Sequence, residues 1–251
     1  MIERLYENMA IPDSCQLGKR VYKKLFHEKA KLGATDKRAF SEDIDLVTWA
    51  YTLKPNTIPI LPYKDEQREY LEIAILQVDL KTLKRTSRIA EVIHRAIPYP
   101  LIVVFNSDKT CALSLAHKRF SQAEKGAIVA EEFLITEWID LAKPTPAHQA
   151  FMDSLAISEL PQTHYFAFYS ALVDRVIALD CSRLTGMYSL ESTANKNQQR
   201  RERLAACHEL ELQISDLKTE IRKETQFNHQ VELNTRIKKL EQALQTESLR
   251  I

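Results

Sequence analysis

Apolar residues alternate from Tyr70 to Leu80. Leu71, Ile73 and Ile75 fall on one side, and Tyr70, Ala74, Leu76, Val78 and Leu80 on the other. A two-residue period predicts a strand over 69–81, and apolar positions on both faces predict a central one. SRIAEVIHRAI (87–97) changes to a helical period and stops at IPYP. PLIVVF (100–105) is a near-continuous apolar run, as in a buried strand. Strand, helix and strand in that order predict a parallel pair joined by a crossover helix. After the turn Asn106-Ser107-Asp108, TCALSLAHKRF (110–120) predicts the second strand of a hairpin. Residues 127–139 are extended in this reading, with helix as the competitor.

Upstream, Val21, Leu25 and Phe26 predict a helix over 18–30. Phe40, Ile44, Val47, Trp49 and Tyr51 predict another over 36–53, capped by Asp36 and ended by Lys54-Pro55. NTIPILP (56–62) predicts a short edge strand interrupted by Pro59. Beyond KPTPAH (143–148), FMDSLAI and HYFAFYSALVDRVIALDCSRL have broad apolar faces of helical type. The last proline is Pro161 and the last glycine Gly186, so nothing breaks a helix further on. The expected fold class is α/β, a mixed sheet with flanking helices, plus a C-terminal long helix or coiled coil. The expected divisions are a globular domain over 1–142, a helical region over 143–192 and the terminal helix over 193–251. Fifty residues of helix would reach about 75 Å.

Along that terminal run Cys207, Leu210, Ile214, Leu217 and Ile221 step by three and four, the seam of a coiled coil. Inside KETQFNHQVELN (223–234) the rhythm fails, and it resumes out of phase at Leu233, Ile237, Leu240 and Leu244. A seam that changes sides predicts a helix serving two surfaces. Phe227, Asn228, Val231 and Asn234 are the residues expected to bind a protein partner or a second copy of the chain.

Composition narrows the function classes. The net charge is +1, so no global field favours nucleic acid or membrane. The four cysteines, Cys15, Cys111, Cys181 and Cys207, lie far apart, without a disulfide or zinc pattern. Neither GxGxxG nor GxxxxGK[ST] occurs, and the histidines lack ligand spacing. A secretory leader and a membrane span are both absent from the pattern, so a cytoplasmic protein without resident cofactor or metal is expected.

EYLEIAILQVDLK, RIAEVIHRAIPYP, LSLAHKR, YFAFYSALVDRVIAL and KETQFNHQVELNTRIKKLE, in this order, resemble a bacterial family catalogued as domain of unknown function forty-three ninety-one. The resemblance runs over essentially the whole chain. It implies a genomic setting among helicase, methyltransferase or restriction genes that act against foreign DNA, and it carries over no catalytic residues.

The sharpest chemical candidate is Asp79-Leu80-Lys81. Nucleases of the PD-(D/E)xK type place an acid and a lysine two apart at a strand end, where the carboxylate holds Mg²⁺ and the ammonium steadies water or phosphate. Such a site needs a second acid, and Asp65, Glu66 or Glu72 is the expected source. A basic surface is also expected from Lys81, Lys84, Arg85, Arg88, His94, Arg95, His117, Lys118 and Arg119, with Arg88, Arg95, Lys118 and Arg119 touching phosphates. Solvated pairing with Glu91, Glu124, Glu131 and Glu132 is its plain alternative. The expected function is that of a non-catalytic subunit. It would join a helicase or restriction-modification complex through the terminal helix and contact DNA. The alternative is a Mg²⁺-dependent nuclease using Asp79, Lys81 and Glu72.

Overall fold

The computed structural model describes residues 1–29, 32–124, 126–191 and 193–251. Ala30, at the end of the helix expected over 18–30, and Ser192, at the edge of the expected helical region, lie outside them. The chain divides into two compact units, Met1–Leu179 and Asp180–Ile251.

In the first unit, α1 (Glu3–Met9) is followed by β1 (Gln16–Arg20), α2 (Lys23–Lys29), α3 (Ala34–Glu42) and β2 (Ile44–Leu53). The short β3 (Tyr63–Lys64) and β4 (Glu69–Tyr70) pair with each other before β5 (Ile73–Leu80). Then come α4 (Thr86–Ala96), β6 (Leu101–Ser107), β7 (Thr110–Leu115), β8 (Lys118–Phe120), β9 (Ile128–Ala130), β10 (Leu134–Ile135) and β11 (Ile139–Asp140). Helices α5 (Pro146–Ser154) and α6 (Tyr165–Thr185) follow, and the division between the units falls within α6.

Among the described residues seven strands form one sheet in the order β1-β2-β5-β6-β7, with β10 and β11 both on the far edge of β7. The β5–β6 pair is parallel, as the strand–helix–strand pattern predicts, and its other neighbours run antiparallel. One face of the sheet carries Ala74, Leu76 and Val78 with Leu101, Val103 and Phe105, packed against Ile89, Ile93, Phe26 and Phe40. On the other face Ile73, Ile75, Ile102, Val104 and Leu113 are buried too. That double burial is why β5 and β6 read as near-continuous apolar runs.

The helix expected over 36–53 is corrected: it ends at Glu42, and residues 44–53 form β2. Register shifts between Ile44 and Leu46 and between Trp49 and Tyr51 insert extra residues, so the buried positions fall at Ile44, Val47, Ala50 and Leu53. A bulged strand thereby imitates a helical step of three. The helix expected over 18–30 is likewise shortened, because Gly18 adopts φ 61° in edge strand β1. Residues 56–62 make only a single bridge, Leu61 to His164. The Thr57 hydroxyl instead bonds the carbonyls of Thr52 and Lys54 in a turn. The strand expected over 110–120 is two strands, since β8 leaves the main sheet to pair with β9.

The second unit contains α7 (Ala194–Ile221) and α8 (Phe227–Ser248). Long C-terminal helix is present as expected, but not as one run: the chain turns at 222–226 and doubles back. Lys218 meets Glu241 at 2.8 Å, and the Arg203 guanidinium donates to the Arg250 carbonyl. Ile214 and Leu217 of α7 pack on Leu233 and Ile237 of α8, with Ile221, Leu240 and Leu244 beside them. The polar interruption therefore begins as the turn itself and continues into the first turns of α8. Glu224 Oε1 accepts from the Thr225 and Gln226 backbone N–H groups at 2.7 Å each, and Gln230 Nε2 donates to the Glu224 carbonyl at 2.7 Å. The bond from Gln226, with those from Thr225 and His229 adding to it, holds the Glu224 carboxyl below its ordinary pKa. No helix among the described residues is long and apolar enough to cross a membrane. The four cysteines are buried and free.

Candidate functional site at the end of the parallel pair

In open α/β sheets, ligands bind at the carboxyl ends of the parallel strands. Here the sheet changes character at that end. The face that is apolar at Ile75 and Ile102 becomes polar at Gln77, Asp79 and Asn106, and Asp79 stands directly beside Asn106 across the parallel pair. Asn106 Nδ2 and Gln77 Nε2 both donate to Asp79 Oδ1, at 2.6 and 2.9 Å. Oδ2 takes part in neither bond. Tyr6 of α1 closes this floor by donating its hydroxyl to Gln77 Oε1 at 3.1 Å. Burial, then Tyr51 and Asp79, push the Tyr6 phenol well above its usual pKa, so it remains a donor. Asn106 Oδ1 is buried without a hydrogen-bond partner.

On the other side of Asp79 lies β2, running antiparallel. Leu46 is the cross-strand partner of Asp79 and Ile44 that of Leu80, so Asp45 is the inserted residue of a bulge at this point. Two residues of the bulged strand oppose one on its neighbour, which turns an acid toward the strand end. Asp45 is largely exposed, and its Oδ1 lies 3.7 Å from Lys81 Nζ. Asp45 and Lys81 thus meet at the end of the sheet where Asp79 closes β5.

Behind them a buried clamp holds the segment that carries Lys81. Asp43, 2% exposed, accepts from Arg85 Nε at 2.5 Å, from Arg85 Nη2 at 2.8 Å and from Thr82 Oγ1 at 3.1 Å. Its backbone carbonyl takes the Lys81 N–H at 2.7 Å. The Arg85 hydrogen bonds hold the Asp43 carboxyl below its ordinary pKa, with Thr82 assisting against the opposing effect of burial.

The acids named from sequence are not gathered here. Glu72 precedes β5 and Asp79 ends it, seven residues later, a separation of about 23 Å along a strand. Asp65 caps the turn between β3 and β4 through the N–H groups of Gln67 and Arg68, near the same far end as Glu72. The partner that sequence reasoning missed is Asp45. Its one signal is an acid at the head of the β-branched and aromatic run IDLVTWAYTL, hidden by the helical appearance of that run.

The basic surface does not assemble either. Arg88 closes on Asp36 through Nε and Nη2 at 2.8 Å each and on Glu91 at 2.7 Å; Arg95 takes the other Glu91 oxygen at 2.6 Å. Arg119 faces Glu131 at 3.4 Å. Lys118 is corrected outright. It is 2% exposed, and its Nζ donates to the His94 and Ile97 carbonyls at the C-terminal end of α4. Burial pushes this ammonium down to about 7, while the two carbonyls and the helix end favour its charged form. It is a helix cap, inaccessible to phosphate.

In the second unit, Phe227 is 74% exposed and Val231 49% exposed at the start of α8, with Asn228 and Asn234 also exposed. Among the described residues no cluster of three or more His, Cys, Asp or Glu side chains gathers to hold a metal ion. Asp45 and Asp79 are carboxylates on neighbouring strands, the kind of oxygen ligand that holds Mg²⁺ together with waters and unlike a closed zinc site.

Fold and site together define a mixed α/β protein whose parallel strands end at Asp79 and Asn106, with the Asp45–Lys81 pair at the same end of the sheet. The chain belongs to the family described as Domain of unknown function (DUF4391), which matches residues 9–244. No curated protein and no solved structure matches it.

Proposed function

We propose that the chain is a Mg²⁺-dependent nuclease, working in the cytoplasm within a DNA-acting defence system. The observation that carries this is the meeting of Asp45 with Lys81 at 3.7 Å beside Asp79. A divalent cation, when bound, polarises the phosphodiester and lowers the pKa of a bound water. Asp45 and Asp79 would supply its carboxylate oxygens. Gln77 and Asn106 fix the Asp79 carboxylate through Oδ1, which keeps Oδ2 in one orientation. Lys81 offers N–H donors and a positive charge to the phosphate oxygens or the attacking water, and the Asp43–Arg85 clamp holds its backbone in register. Hydrolysis then joins the water oxygen to phosphorus and releases the ester oxygen with a proton. Purified chain is expected to nick supercoiled plasmid in Mg²⁺ or Mn²⁺, and Asp79→Asn to slow nicking on the order of 10²-fold or more. Wild-type chain inert with both metals contradicts the proposal.

A non-catalytic role in assembly draws on a separate observation, the exposed Phe227 and Val231 where α8 begins. Apolar side chains four apart on one helix face suit insertion into a partner's groove or a coiled coil with another chain, such as a helicase or methyltransferase subunit. Phe227→Asp is expected to reduce co-purification with the products of neighbouring genes at least tenfold. Undiminished co-purification removes this role.

A further inference from the structure

Which cations near the site remain open to a ligand differs from what the sequence suggests. Arg85, Arg88, Arg95 and Arg119 each close on a carboxylate. Lys23 and Arg20 have no carboxylate partner among the described residues. Lys23 Nζ donates to the Ile44 carbonyl at 2.5 Å, on the residue just before Asp45. Arg20 ends β1 opposite Thr48 of β2 and is exposed, its guanidinium 5.5 Å from the Tyr22 ring centroid. Lys23 and Lys81 thus both reach the end of β2 that carries Asp45, and Arg20 stands on the neighbouring strand, so an anion approaching this edge meets several cations.

We propose that Lys23 and Arg20, with Lys81, form the contact surface for the phosphodiester backbone of DNA at the Asp45–Asp79 site. The inference rests on the hydrolytic reading and names the residues that seat its substrate. Lys23, tied to the backbone of β2, holds a phosphate at the bulge, and Arg20 meets the backbone one strand further toward the sheet edge.

The test is binding of a short DNA duplex, followed by fluorescence anisotropy over a range of salt concentrations with EDTA present to prevent hydrolysis. Each phosphate contact contributes a slope of roughly 0.9 in log affinity against log salt. Lys23→Gln and Arg20→Gln are each expected to lower the slope by about that amount. Arg88→Gln and Arg95→Gln are expected to leave it unchanged. Arg20 is exposed on an edge strand, so its variant stays informative if Lys23→Gln fails to fold. Wild-type slopes in both Lys23→Gln and Arg20→Gln, or equal losses in the Arg88 and Arg95 variants, overturn the inference. Cleavage of the same duplex by wild-type chain in Mg²⁺ is scored separately. Reduced slopes without cleavage uphold the contact surface and sink the nuclease; cleavage with unaltered slopes does the reverse.

Discussion

His94 and Lys118 are ionisable side chains placed almost entirely out of solvent. His94 Nε2 pairs with Ser114 Oγ at 3.1 Å, while its Nδ1 is buried without a partner. Burial, with Lys118 adding to it, pushes this imidazole down to about 3, so the folded chain holds it neutral. The unfolded imidazole takes a proton near 6.5. Between these values the unfolded chain binds more protons, so stability rises with pH there and falls on acidification from about 6.5 toward 3. Lys118 acts with the same sign in a higher window, between about 7 and its ordinary 10.5. Urea unfolding at pH 7 and pH 5 is expected to show wild-type chain losing about 2 kcal/mol more than His94→Gln. Equal losses in the two proteins contradict a neutral, buried His94. None of this is visible in RIAEVIHRAI or LSLAHKR, where His94 and Lys118 look like members of a solvated basic face. Sequence gives the charge of a side chain, whereas the crossing of β7 into β8 behind α4 decides whether that charge meets water or a helix end.

At the scale of elements, period and insertion decide what can be read in advance. Helix α4 and strands β5 and β6 were legible from their periods and their burial on both sheet faces, although the strand expected from 69 is divided, Glu69–Tyr70 pairing with β3 and β5 starting at Ile73. Strand β2 was not, because two register shifts replace its period of two by a spacing of three, and the same shift hides Asp45. The terminal helices were legible as helix but not as a pair. Each of α7 and α8 has its own apolar seam, and the phase change between them marks reversal of the chain. Ile237 is 6% exposed within that seam. Ile237→Ala is expected to cost roughly 2–4 kcal/mol in the unfolding of the second unit, followed by far-ultraviolet circular dichroism. A change under about 0.5 kcal/mol contradicts the paired-helix packing.

At the scale of the molecule, the neutral overall charge and the absence of a nucleotide loop left function to local groups. Three of them reach the same end of the sheet only once the antiparallel β2–β5 pair and the parallel β5–β6 pair are in place: Asp45 from a bulge, Asp79 from a strand end, and Lys81 from the segment clamped by Asp43. Asp79 and Lys81 were legible as a tripeptide. Their acidic partner was sought in Glu72, just before the same strand, although strand length puts that residue at the opposite end of the sheet. The two acids therefore part company experimentally. Plasmid nicking in Mn²⁺ by Asp45→Asn and Glu72→Gln, side by side with wild-type chain, tests the site most directly. Activity is expected to be lost in Asp45→Asn and retained in Glu72→Gln; an active Asp45→Asn protein would contradict a site built on Asp45.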